Sequence, residues 1–121
     1  MESIQFVKNF WHDMDAQNWE SLFQYFKPDA LINWPNTKEQ LTVREFVRVN
    51  EQYPGRWNIT VKSMEHMNDR LISVVHVELA GGNTAFTAVS FFDFQNELIS
   101  GLTEYWGDIA EPPEWRKEKL F

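Results

Sequence analysis

The carboxylate of Glu104 carries the strongest chemical signal in the sequence. The run Glu97–Asp108 alternates, and one side of it reads Leu98, Ser100, Leu102, Glu104 and Trp106. A strand sends every second side chain to the same face. Glu104 is thereby aligned with two leucines and a tryptophan on a face bound for the interior. A carboxylate goes there only with a partner or a task. Apolar surroundings would hold its proton toward neutral pH, as a general acid or base requires. The plainer alternative is a carboxylate bonded to Asn50, a tyrosine or an indole N–H that only fixes the strand.

Other residues could join it. His76 could accept or donate a proton, or pair with Glu104 as an acid/base couple; the alternative is a satisfied histidine on a half-buried strand. Trp34, Phe46 and Trp106 could wall a pocket for a small apolar, flat or cyclic ligand, or simply fill the core. Asn33 and Asn50 are candidates to line that pocket, with buried hydrogen bonds as the equal alternative. His12 and His66 are weaker. The set His12, Asp13 and Asp15 diverges around a helix and lacks metal-ligand spacing, so no metal site is expected. The chain has no cysteine, hence no disulfide, thiol nucleophile or thiolate-held metal. No glycine-rich phosphate loop precedes a helix, and no cofactor is expected.

The elements that must position these residues divide into two halves. Ile4, Val7, Phe10, Trp11 and Met14 recur at helical spacing. A second helix follows, with Asn18 as N-cap, Trp19, Leu22, Phe23 and Phe26 on one face, and Pro28 ending it. Ala30–Trp34 reads as a short strand. Thr42-Val43-Arg44-Glu45 has the form of a capping box and opens a third helix with Val43, Phe46, Val47 and Asn50 on its inner stripe. From Trp57 the period changes. Turn signals at Asn68-Asp69, Gly81-Gly82-Asn83 and Gln95-Asn96 cut the remainder into four long strands joined as a meander. The segment Glu111–Arg116 reads as extended, with Trp115 clasping it to the body. The expected fold is α+β: three N-terminal helices packed on a curved, mostly antiparallel sheet.

Within that sheet, Leu71, Ser73, Val75, Val77 and Leu79 share one side of a strand; Ile72, Val74, His76 and Glu78 share the other. Both sides are too apolar for water, so a second copy of the chain is expected on the face that helices do not cover, making a homodimer.

Composition sets the outer bounds. With 121 residues, one domain over 1–121 is expected, and 16% aromatic content can fill a core and still line a cavity. A net charge of −7 opposes nucleic acid or an anionic membrane as partner. Neither a signal-like N-terminus nor a bilayer-length apolar run occurs, so a cytoplasmic protein is expected.

Ser90-Phe91-Phe92-Asp93-Phe94, the turn before Leu98-Ile99, and Thr103–Asp108 followed by Pro113-x-Trp115-Arg116 carry a family likeness. With the order of elements, they resemble the nuclear transport factor 2-like superfamily, and within it the SnoaL-like branch of polyketide cyclases. The resemblance implies a cone-shaped, cystatin-like roll around a pocket that the helices partly close. In the cyclases and limonene-type epoxide hydrolases an acidic residue on the last strand points into the cone. Glu104 takes that place, with glutamate where those enzymes use aspartate. Their second polar residue, on the third strand, corresponds to His76, or failing that Glu78. The steroid-isomerase branch matches worse: its tyrosine falls at Phe10, and its aspartate before a proline falls at Trp34. What the resemblance implies is cofactor-independent cyclisation, dehydration or hydrolysis of a small apolar substrate, or else a non-catalytic binding module.

Overall fold

The computed structural model describes residues 3–120. Helix α1 spans Ser3–Asp15 and buries Val7, Phe10, Trp11 and Met14, the stripe its spacing predicts. A 3₁₀-helix follows over Trp19–Tyr25. Asn18 makes no side-chain cap to it; the Asn18 amide donates instead to Asp13 Oδ1 at 2.9 Å. Helix α2 spans Val43–Gln52, and its capping box is complete: Thr42 Oγ1 accepts from the Glu45 amide, and Glu45 Oε1 from the Thr42 amide.

Six strands form one sheet: β1 Phe26–Trp34, β2 Glu39–Thr42, β3 Trp57–Met67, β4 Arg70–Leu79, β5 Ala85–Gln95 and β6 Leu98–Asp108. Their order is β2-β1-β6-β5-β4-β3. Every neighbouring pair is antiparallel except β1 and β6. The fold is therefore α+β, with three N-terminal helical segments on a mostly antiparallel sheet. Among the described residues, no helix is long and apolar enough to cross a membrane.

Three local expectations need correction. Pro28 does not stop a helix; the 3₁₀ segment ends at Tyr25, and Pro28 lies inside β1. The β1–β6 register skips from Phe26↔Ile99 to Leu31↔Gly101, so Pro28, which has no N–H to give, sits in the unpaired stretch. The tail is not extended throughout, because helix α3 covers Glu114–Leu120 directly after Pro112-Pro113. Proline before a first turn has its φ preset for a helix, and the Pro113 carbonyl accepts from the Arg116 and Lys117 amides. Trp115 is 65% exposed, too open to serve as a clasp onto the body.

The core lies between the helices and the inner face of the sheet. Phe10 is its hub, fully buried, with edge-on contacts to Trp11, Tyr25, Phe26 and Phe92 at ring distances of 5.1–5.8 Å. The end of α1 is tied to the sheet's outer edge, where Asp15 Oδ1 accepts from the Ile59 amide of β3 at 2.7 Å. Gly55, at φ 94°, turns the chain from α2 into β3; a Cβ there would sit 2.8 Å from Leu79 Cδ1.

Candidate functional site

Between α1, α2 and the inner face of the sheet lies a cavity of about 320 Å³. The cross-strand register explains why a carboxylate reaches it. Ser73 on β4 pairs with Ser90 on β5, and Ser90 pairs with Glu104 on β6. These three side chains form one polar row across an otherwise apolar face, and all three are buried. Next to them, Asn33 pairs with Thr103, which brings Trp34 of β1 beside Glu104.

Glu104 is held at both oxygens. Oε1 accepts from Trp34 Nε1 at 3.0 Å, and Oε2 accepts from Ser90 Oγ at 2.7 Å. Burial pushes the carboxyl pKa above the ordinary value, outweighing the opposite pull of the Ser90 and Trp34 hydrogen bonds. The group is thus a carboxyl of raised pKa, oriented at both oxygens, in the cavity wall. The row continues at Ser73, whose Oγ accepts from Trp11 Nε1 at 3.1 Å. An indole N–H only donates. Trp11 therefore ends this side of the row as a donor that cannot accept a proton.

The aromatic candidates converge. Trp34, Phe46 and Trp106 all line the cavity. Trp34 and Trp106 stand perpendicular, 5.6 Å apart at 89°, and Phe46 meets Trp34 at 6.1 Å. Asn50 lines it too, with its amide nitrogen donating back to the Phe46 carbonyl at 2.9 Å.

Two candidates lie elsewhere. His76 is on the opposite face of β4 from Ser73, because the two are three residues apart and strand side chains alternate. It contacts Glu78 Oε1 at 3.1 Å, is absent from the cavity lining and forms no couple with Glu104. Glu78 shares that outer face. Asn33 also faces outward, one residue from Trp34, and accepts from Gln40 Nε2 at 3.0 Å. The set His12, Asp13 and Asp15 is not gathered either: Asp13 accepts from Asn18 and Tyr25, while Asp15 reaches β3.

The sequence reading missed most of the wall. Trp11, Trp19, Tyr53, Trp57 and Phe86 also line the cavity, and Arg56 and Asp108 stand at its exposed rim. Ser90 was the detectable omission. Serines 73 and 90 each interrupt the buried face of a strand, and a polar residue there calls for a partner.

Comparison with known proteins decides the family. A family model described as a SnoaL-like domain matches residues 7–102, most of the chain. The chain belongs to the SnoaL-like family. Solved structures share the nuclear transport factor 2-like fold of this SnoaL-like chain. A Kribbella flavida protein with a provisional ketosteroid isomerase label is 24% identical at TM-score 0.82, covering 97% of this chain and 86% of its own. A nuclear transport factor 2-like protein of unknown function from Burkholderia xenovorans is 18% identical at TM-score 0.80, with 97% and 91% covered. An LEH-like epoxide hydrolase from Mycobacterium tuberculosis is 13% identical at TM-score 0.69, with 88% and 83% covered. At these identities the likeness is one of fold. No curated protein matches the chain.

Proposed function

We propose that the protein binds a small, largely apolar ligand in the cavity and transforms it without a cofactor, using Glu104 as general acid or base. The observation that carries this reading is a buried carboxylate, oriented by Ser90 and Trp34, in the wall of a cavity of about 320 Å³. Burial keeps a proton on that carboxyl nearer to neutral pH, which suits cyclisation, dehydration or addition of water. Asn50 is the polar group positioned to orient the ligand or a water. A fold neighbour named as an epoxide hydrolase belongs to the same range of chemistry. The working unit is proposed to be a homodimer.

The test is a substrate screen with epoxides and cyclisable or dehydratable carbonyl compounds, followed by Glu104→Gln on any substrate found. Loss of a positioned acid or base should lower kcat by about 10²–10⁴-fold. Full activity in that variant would exclude the mechanism.

One observation favours a second reading, a binding module without turnover. Both Glu104 oxygens already have partners, which is how a carboxylate that only fixes two strands would sit. A binder should show no turnover in the wild type, and should keep its affinity in Glu104→Gln for any ligand whose contact does not depend on charge.

A further inference from the structure

The composition of the wall says more about the ligand than its size does. Eight aromatic side chains line the cavity, among them five of the chain's six tryptophans. Apolarity alone does not explain that choice, since leucine and valine make an apolar wall as well. A π face differs from an aliphatic one in carrying negative electrostatic potential, and indole carries the most. Trp34 and Trp106 set two such rings at right angles around one space. The Glu104 carboxyl lies beside that corner, bonded to Trp34 itself.

The remaining charges leave this potential uncompensated inside. The cavity's other ionisable side chains are Arg56, Asp108 and Tyr53, all exposed. Arg56 Nη1 donates to the Trp57 carbonyl, and Asp108, of opposite charge, also lines the cavity. Among the described residues, Arg56 is the only cationic side chain in the lining. An anionic ligand would meet aromatic faces and a carboxyl, with the exposed Arg56 as the one cation among the described lining residues.

We propose that the ligand of this cavity carries a compact alkylammonium cation, seated against the Trp34–Trp106 corner with Glu104 as its counter-charge. The proposal rests on the reading that the cavity binds a small molecule, and it narrows the class of that molecule. A cation there lowers the pKa of Glu104, so binding draws the proton off the carboxyl and leaves a base beside the ligand. Cation binding then tightens as pH rises and releases a proton.

Choline and 3,3-dimethylbutan-1-ol form the decisive pair, since they differ in nitrogen for carbon and hence in charge at nearly constant shape. Tryptophan fluorescence and indole N–H chemical shifts report both. Choline should bind at least about tenfold tighter than the alcohol. That preference should grow between pH 5 and 8, with proton release seen calorimetrically in buffers of different ionisation enthalpy. Glu104→Gln should remove most of the preference and its pH dependence while the alcohol still binds, which also shows that the variant is folded. Trp106→Leu should reduce the preference at constant pH. Equal binding of the two probes, or tighter binding of the alcohol, would overturn the cation proposal and leave the cavity reading intact. If neither probe perturbs any cavity tryptophan, both fall.

Discussion

Glu104 joins the ordinary work of a strand residue to the extraordinary condition of a buried acid, and the two can be separated by pH. Its carboxyl titrates above the ordinary value of 4.5 because burial disfavours the charge more than Ser90 and Trp34 favour it. Below that ordinary value, the group is neutral in folded and unfolded chains alike, and the fold has its full stability. As pH rises toward and through the folded value, the unfolded chain sheds the proton first and stability is lost. Glutamine keeps the shape, accepts from Trp34 and donates to Ser90, and has no proton to lose. Glu104→Gln should therefore raise the melting temperature by a few degrees at pH 8, and by less or not at all at pH 4. Thermal unfolding of both proteins at matched pH checks this, and other titrating groups cancel in the difference. An equal shift at both pH values would mean that the Glu104 carboxyl titrates alike in the folded and unfolded chains, and that burial does not raise it. Glu104 was legible from the alternation of its strand alone. Ser90 was legible as a polar residue on a buried face, but its pairing with Glu104 was not, because a partner on another strand is fixed by register, which alternation along one strand does not specify.

Among elements, β6 shows where alternation stops being enough. It predicts Leu98, Ser100, Leu102, Glu104 and Trp106 on one face, but the core takes Ile99 rather than Leu98. The β5–β6 register shifts between Asp93↔Gly101 and Phe94↔Ile99, so a bulge at Ser100-Gly101 resets the parity. Glu104 and Trp106 lie beyond the bulge and keep the side assigned to them. On β4, parity puts His76 and Ser73 on opposite sides; only the register linking Ser73 to Ser90 and Glu104 shows that His76 is on the wrong side. Asn36 then performs an element's task with one side chain. Its amide donates to the Trp106 carbonyl at 3.0 Å and accepts from the Trp106 amide at 3.2 Å, continuing the β1–β6 ladder past the end of β1. These bonds hold the backbone of the residue that makes half of the aromatic corner. Asn36→Ala should cost about 1–2 kcal/mol in urea unfolding, the worth of two partly exposed hydrogen bonds. It should also speed hydrogen exchange at the Trp106 amide more than at the Leu102 amide in the middle of the strand. Uniform acceleration along β6 would show that Asn36 stabilises the fold without positioning Trp106.

At the scale of the molecule, the sheet has two faces and the helices cover one. The inner face holds the core and the cavity. The outer face carries Ile72, Val74, Val89, Phe91 and Tyr105 in adjoining rows, set by the pairs Ile72↔Phe91, Val74↔Val89 and Val89↔Tyr105. Four of these are half-buried by their neighbours alone, and Tyr105 is 46% exposed. Polar and charged side chains flank the patch, with Arg70 paired to Asp93 at one end at 2.8 Å and His76 within 3.1 Å of Glu78 at the other. An apolar centre with charges of both signs at its margins can meet its own copy across a two-fold axis, each patch covering the other. A stable dimer of this kind buries roughly 800 Å² per partner. Sedimentation velocity should accordingly give twice the 14.4 kDa chain mass at micromolar concentration. Tyr105→Glu, which places a charge at the centre of the patch, should return the chain mass while leaving the circular dichroism spectrum unchanged. The side chain points away from the cavity, so ligand binding should survive the change unless the second copy holds the sheet in shape. A wild-type protein that sediments at 14.4 kDa at every concentration would leave this face to another partner. A dimer that Tyr105→Glu does not disturb would place the contact elsewhere on the surface.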